Sequence, residues 1–179
     1  MKKEVIFFDG DGTLWYPKST KWKMKPHWIY KEHPKFVKYI PHLKATPSII
    51  ATLKKLKSQG KTLIALSTHP HPRLEADIHM NAKMEHLKLN KLFDAIYTAR
   101  PYPWGKGKVM VSVLKRLHIP KSRAILIGDN YTYDYLSAKT VGIECMLLST
   151  SYLEIPDSKA SRIKILNKIS DLPNQLSGV

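Results

Sequence analysis

Apolar positions along the chain fall into two alternating kinds of pattern. Short continuous runs, VIFF over residues 5–8, then TLIALS, DAIYTA, AILIGD and ECMLLS, read as strands that are apolar on both faces. Between them lie stretches of helical period. In ATPSIIATLKKLKSQG, Thr46 is placed as an N-cap and Pro47 at the first helical position; Ile49, Ile50, Leu53 and Leu56 make one apolar face, and Gly60 closes the end. A second helix is predicted over 74–87. A third follows from the i, i+4 face of Val109, Val113 and Leu117 before Pro120, and a short fourth runs over 134–141 and ends at Gly142. Strand and helix in alternation predict an α/β fold around a five-stranded parallel sheet. The stretch after ECMLLS is weakly patterned and is expected to fold back as an irregular strand and a short helix.

Two connections stand out. Residues 15–45 form too long a segment for a βα loop. They carry Trp15, Trp22 and Trp28, with Lys18, Lys21, Lys23, Lys25, Lys31, Lys35, Lys38 and Lys44 against the single acid Glu32. This reads as an extended basic and aromatic flap. The connection over 68–93, by contrast, holds one helix and a turn. With no internal repeat and no low-complexity tail, residues 1–179 read as one domain of ordinary size.

Composition narrows the picture. Cys145 is the only cysteine, which excludes an intrachain disulfide and a cysteine-based zinc site. No apolar run is long enough to span a bilayer. The basic start Met1-Lys2-Lys3 leads into an apolar run too short for a signal peptide, and that run ends in acids. A soluble, cytoplasmic protein with no membrane partner is expected. Lys and Arg number 30 against 14 Asp and Glu, a formal charge of +16. Such an excess suggests polyanionic partners, nucleic acid among them. The spread of lysines along the whole chain favours a well-solvated surface instead.

The candidate chemistry sits at strand ends. Open α/β sheets place ligands just past the C-terminal ends of their strands. The first strand ends in Asp9 and Asp11, the second in Ser67 and Thr68, and the fourth in Gly128-Asp129, with Asp134 five residues on. Four carboxylates at one point repel each other and are costly to bury unpaired. A cation must sit among them, and oxygen ligands without cysteine favour Mg²⁺. Lys106, in YPWGKGK, opens a helix and can add a second positive charge. Mg²⁺ beside a lysine and a small hydroxyl describes a phosphate site. Gly10 and Gly12 allow a tight turn that brings backbone N–H groups close to a phosphoryl oxygen. Asp9 is then placed as a nucleophile, and Asp11 as the group that protonates a leaving oxygen.

The segments FFDGDGTLW, LIALST, the lysine of YPWGK, and LIGDNYTYD resemble, in order, the four motifs of the haloacid dehalogenase superfamily, over residues 7–134. The resemblance implies a Rossmann-like three-layer sandwich with strand order 5-4-1-2-3. It implies that Asp9 is the nucleophile and a Mg²⁺ ligand, and that Asp11 is the general acid/base and lends its backbone carbonyl to the metal. Thr13 would support the loop. Ser67, with Thr68 as the alternative, would bind the phosphoryl group. Lys106, with Lys108 as the alternative, would stabilise it. Asp129 would ligate Mg²⁺ directly and Asp134 through water or from the outer shell. The family's dehalogenases lack an acid at the position of Asp11, so its presence implies phosphate chemistry. The YP-x-x-K context, GTLW followed by Pro17, and the short second connection resemble the magnesium-dependent class III phosphatases, which implies a minimal cap domain or none.

The function expected is a Mg²⁺-dependent phosphomonoester hydrolase acting through an aspartyl-phosphate, with a small ester or a phosphorylated macromolecule such as a nucleic-acid end as substrate. The alternative is a phosphate- or nucleic-acid-binding module with weak or no catalysis; the intact set Asp9, Asp11, Lys106 and Asp129 favours the enzyme. His69, His71, His79 and His86 show no convincing metal-site spacing and read as surface or loop residues. Cys145 reads as a core strand residue.

Overall fold

Each of the continuous apolar runs forms a strand. The computed structural model describes residues 2–20, 23–26, 29–30, 36–100 and 105–177. Eight strands follow one another: β1 (Val5–Phe8), β2 (Trp15–Pro17), β3 (Leu43–Ala45), β4 (Thr62–Thr68), β5 (Ala95–Ala99), β6 (Ala124–Gly128), β7 (Glu144–Leu148) and β8 (Lys164–Leu166). Six of them make a parallel sheet in the order β5-β4-β1-β6-β7-β8, while β2 and β3 pair separately. The sheet therefore has six strands, not the expected five, and its order differs from the five-strand series because β8 is added beyond β7. That strand has three residues, of which only Leu166 is buried, so it carries almost no apolar periodicity. A short edge strand headed by an exposed lysine is also poorly suited to pairing with another chain.

Helices cover both faces of the sheet. In β1 the side chains alternate as the pleat requires. Ile6 and Phe8 join a core with Leu53 and Leu56 of α2 (Ile49–Ser58) and Met80 and Met84 of α3 (Arg73–His86). Val5 and Phe7 join an opposite core with Met110, Val113 and Leu114 of α4 (Gly105–Arg116) and Ala138 of α5 (Ser137–Lys139). The short α1 (Phe36–Tyr39) precedes β3. After β7 come α6 (Asp157–Ala160) and α7 (Leu172–Ser177), and Leu172 and Leu176 of α7 close the first core. Cys145 is a buried strand residue, as expected. No helix among the described residues is long and apolar enough to cross a membrane.

Three helix details depart from the expectation. The residue before α2 is Ser48, in the left-handed region at φ 64°, and no side chain caps the helix. Thr46, expected as the cap, donates its hydroxyl to the carbonyl of Thr13, 2.7 Å away, and so ties the helix start to the loop after β1. Ile50 is exposed, because α2 turns it off the stripe made by Ile49, Leu53 and Leu56. Asp134 lies in a π-helical turn (Tyr131–Leu136), not at the head of an α-helix; the side chain of Asn130 caps that turn by accepting from Thr132 N and Tyr133 N.

The end of α2 follows its sequence signal. Gly60 takes φ 73°, its N–H reaches the Lys57 carbonyl, and the Lys61 N–H reaches back to the Leu56 carbonyl. These two bonds are the Schellman pattern of a left-handed C′ residue. A Cβ on Gly60 would meet nothing within 4 Å, so its substitution isolates the backbone term. Gly60→Ala is expected to cost about 1–2 kcal/mol. That corresponds to a fall of roughly 2–8 °C in Tm for a chain of this size, measured by thermal unfolding. An unchanged Tm would show that the turn carries no left-handed strain.

Candidate active site

β1 ends where its apolar run meets DGDGT, and the chain there must leave the sheet at once. The carbonyl of Gly10 accepts from the N–H groups of Thr13 and Leu14 (3.2 and 2.8 Å), which folds the loop back on itself. Gly12 adopts φ 87°, and a Cβ there would lie 1.9 Å from Asp129 Oδ2. Its N–H donates to the Trp15 carbonyl at 2.7 Å. Gly12 thus makes the turn and leaves room for a carboxylate from the neighbouring strand end. Gly128 has a similar role at the tip of β6, where a Cβ would lie 2.2 Å from Asp134 Cγ. The Thr13 hydroxyl is buried without a hydrogen-bond partner among the described residues.

These close approaches gather three carboxylates. One oxygen from each of Asp9, Asp129 and Asp134 lies within 4.8 Å of the others, and all three residues are buried. Asp134 is fully enclosed. Its Oδ2 accepts from the backbone N–H groups of Asp129 (3.1 Å) and Asn130 (2.9 Å), and its Oδ1 receives the Lys106 ammonium. Lys106 also donates to Asp9 Oδ1. Burial pushes the Asp9 carboxyl up to about 7; Lys106 pulls it down and Asp134 pushes it back up. Burial raises Asp129 well above the ordinary carboxylate range, with Asp9 and Asp134 adding to the rise. Burial works against the Lys106 ammonium, but Asp134 and Asp9 outweigh it and hold it charged. One lysine for three clustered acids leaves the group short of positive charge. Lys108, the other candidate lysine, is exposed.

Asp11 is held elsewhere. Its Oδ1 accepts from Trp15 Nε1 (2.7 Å) and from the Tyr30 hydroxyl, and its Oδ2 faces Lys83 Nζ at 3.2 Å. Lys83 is 1% exposed and lies over the rings of Tyr30, Tyr39 and Trp15 at 4.5, 5.4 and 5.6 Å from their centroids. Burial alone would raise the Asp11 carboxyl; the Lys83 charge and the hydrogen bonds from Tyr30 and Trp15 overcome it and hold Asp11 below the usual range. Asp11 is thus a fixed carboxylate, whereas Asp9 and Asp129 are carboxylates that resist ionisation.

The cluster opens into a cavity of about 540 Å³ that Ser67, Thr68, Tyr30 and Tyr152 also line. Ser67 is buried and Thr68 half-buried. Tyr152 donates to Asp129 Oδ2 at 2.7 Å. The flap begins beside this cavity as the antiparallel ladder of β2 and β3, in which Trp15 faces Ala45. Of its described aromatic residues Trp15, Tyr16 and Tyr39 are buried and Tyr30 is half-buried, and Lys25 pairs with Glu154 at 3.2 Å. Lys21, Trp22, Trp28, Lys31, Glu32 and Lys35 lie outside the described residues. The histidines correct part of an expectation: His69 and His71 do lie on a loop and His86 is exposed, but His69 and His79 are buried.

A family model for the haloacid dehalogenase-like hydrolases matches residues 4–148. The chain belongs to this family. Among curated relatives, a ribulose-1,5-bisphosphate 5-phosphatase of Halopiger xanaduensis is 31% identical over 115 residues, 63% of this chain and 46% of that protein. A phosphoglycolate phosphatase of Caulobacter vibrioides is 26% identical over 129 residues, 71% of this chain and 52% of that protein. This haloacid dehalogenase-like chain therefore spans about half the length of the curated relatives it matches. In fold it is similar to a haloacid dehalogenase-like family hydrolase of Streptococcus pneumoniae, with TM-score 0.72, 20% identity, and 97% of this chain and 98% of that one covered. These likenesses carry the family, not the capless class III subgroup.

The sequence reading missed Lys83 and Tyr152 and gave Tyr30 only to the flap. A signal for Lys83 was present: it interrupts the stripe Ala76, Met80, Met84, Leu87 on the inner face of α3, where a lysine needs an acid. Lys83→Met would strand the Asp11 carboxylate. It is expected to lower stability by about 2–4 kcal/mol, somewhat under the usual cost of breaking a buried pair because Asp11 is partly exposed. In urea unfolding the double variant Lys83→Met/Asp11→Asn should recover part of that loss; strict additivity of the two single changes would refute the coupling.

Proposed function

We propose that this chain is a Mg²⁺-dependent phosphomonoester hydrolase that acts on small phosphate esters through an aspartyl-phosphate. The observation that supports it most directly is the buried, charge-deficient group of Asp9, Asp129 and Asp134 opening into a cavity lined by Ser67 and Thr68. The donors fit the ion, because an oxygen-only set with raised carboxyls calls for a hard divalent cation. Asp9 and Asp129 would hold it, with the Asp11 backbone carbonyl as a further ligand. Asp134, whose two oxygens already have partners, would act from behind. When bound, the ion supplies positive charge to the phosphoryl oxygens.

In this reading an Asp9 carboxylate oxygen attacks phosphorus, the bond to the ester oxygen breaks, and an acyl phosphate forms on Asp9. Water then attacks that phosphorus, releasing inorganic phosphate and regenerating Asp9. Lys106 and the hydroxyl of Ser67 or Thr68 hold phosphoryl oxygens throughout. Asp11, kept ionised by Lys83, is suited in this arrangement to take the proton of the attacking water. To protonate the ester oxygen it must first gain a proton and leave Lys83 and Tyr30. In this reading residues 1–179 act as one catalytic domain, with an extended basic and aromatic flap at 15–45, of which Lys25, Pro26 and Tyr30 line the cavity. The names of the two curated relatives favour a small phosphorylated metabolite over a polymer.

Phosphate release from an aryl phosphate and from a panel of small phosphate esters, with Mg²⁺ and with chelator, tests the reading. Turnover should need the ion, and folded Asp9→Asn should lose roughly four orders of magnitude or more. Activity in excess chelator, or near-normal activity of Asp9→Asn, would refute it. A second outcome concerns pH. Asp9, at about 7 without metal, carries a proton below that value and must release it when a cation binds. Calorimetry of Mg²⁺ binding in buffers of different ionisation enthalpy should show proton release that falls by about one proton as pH rises through 7. Release that does not change with pH would mean that Asp9 is not a ligand.

A further inference from the structure

A second set of metal-ligand side chains lies outside the carboxylate cluster. His69 follows Thr68 at the tip of β4, His71 stands on the loop, and His79 lies in α3. One ring nitrogen from each falls within 4.8 Å of the others. The ring centroids are 5.0, 5.2 and 5.0 Å apart, so the three imidazoles surround a common point. Glu75 Oε1 lies 3.1 Å from His71 Nδ1 and 3.8 Å from His79 Nε2. Positions 71, 75 and 79 are spaced by four, which puts Glu75 and His79 on one side of α3 and His71 over its first turn.

An independent observation points the same way. His69 Nδ1 is buried without a hydrogen-bond partner, in a residue 7% exposed. A polar atom so placed costs free energy until something binds it. Burial and the nearby Lys83 charge push His69 down to about 4, and burial and His71 lower His79. Both rings are therefore neutral, the form in which imidazole ligates. The Tyr39 hydroxyl lies 3.3 Å from His79 Nδ1 and so orients Nε2 toward Glu75. Nearby cations are engaged elsewhere: Lys83 on Asp11 and Tyr30, Arg100 on the carbonyls of Pro70 (2.8 Å) and His71, and Arg73 on Asp77 (3.7 Å).

We propose that His69, His71, His79 and Glu75 bind a divalent transition-metal ion of the zinc class. Three imidazoles and one carboxylate are a borderline donor set that prefers Zn²⁺ or Co²⁺ to Mg²⁺. Ligand atoms around a tetrahedral zinc are roughly 3.4 Å apart, so nitrogens within 4.8 Å must close by at most about 1.4 Å. His71, on the loop and with a side chain 43% exposed, is free to make that movement. The ion fastens the tip of β4, which carries Ser67 and Thr68 into the cavity, to α3, which carries Lys83 to Asp11. It is a positioning site beside the carboxylates, and its existence does not depend on the phosphatase reading.

The test is titration of the full chain, stripped of metal, with Co²⁺ in excess Mg²⁺. A single Co²⁺ per chain with the visible absorption of a tetrahedral nitrogen–oxygen site is expected, displaced by Zn²⁺ and retained in Asp129→Ala. His71→Ala and Glu75→Ala, each checked for folding by circular dichroism, should weaken binding at least tenfold, the lower end of the roughly 10–100-fold seen when even outer-shell partners are lost. Absence of Co²⁺ binding in excess Mg²⁺, loss of the signal in Asp129→Ala, or unchanged affinity in both His71→Ala and Glu75→Ala would overturn the proposal.

Discussion

Three carboxylates share one buried space, and most of the local architecture follows from the need to hold them there. Each ion moved out of water costs several kcal/mol even after the surroundings relax. The chain meets that cost in different ways at each acid. Asp134 is given two backbone N–H groups and an ammonium. Asp129 receives a tyrosine hydroxyl. Asp9 shares Lys106 with Asp134, which leaves Asp129, with a neutral hydroxyl as its partner, the least compensated in charge. Gly12 and Gly128 are glycines because the carboxylates occupy the space that a Cβ would fill.

The fourth acid of the region follows another logic. Asp11 is two residues from Asp9 yet belongs to a separate enclosure of Trp15, Tyr30 and Lys83. Two neighbouring residues of the same type thus have opposite protonation tendencies, one raised by burial and one lowered by a lysine from a distant helix.

Much of this was legible in the chain. Parallel strands buried on both faces have an unmistakable apolar signature, and so β1, β4, β6 and β7 could be read to within a residue. The strand-end carboxylates Asp9, Asp11 and Asp129 stood out because polar residues directly after such strands have few structural reasons to be there, and Lys106 stood out only through the motifs on either side of it. β8 was not legible, because a three-residue edge strand with one buried side chain has no period to detect. The partners of Asp11 were hidden for a different reason. Lys83 and Tyr30 reach it across sequence separations of 72 and 19 residues, and nothing local marks a lysine in so lysine-rich a chain except its place on an apolar stripe. The burial of His69 and His79 was not legible because one stands at a strand end and the other in a helix, a juxtaposition that only the packing of α3 against the sheet creates.

The pairing of β2 with β3 has a consequence for how such a chain can diversify. Trp15 leaves the loop after β1 and Ala45 returns to it as direct neighbours in one ladder, with Thr46 then bonded to Thr13. The excursion between Pro17 and Leu43 is therefore closed at its root. Whatever is inserted there begins and ends at the same place, and its length does not enter the position of Asp9. The root acts as a graft point: the segment that starts and ends there can be lengthened, shortened or exchanged while the carboxylate of Asp9 in the loop beneath it keeps its geometry.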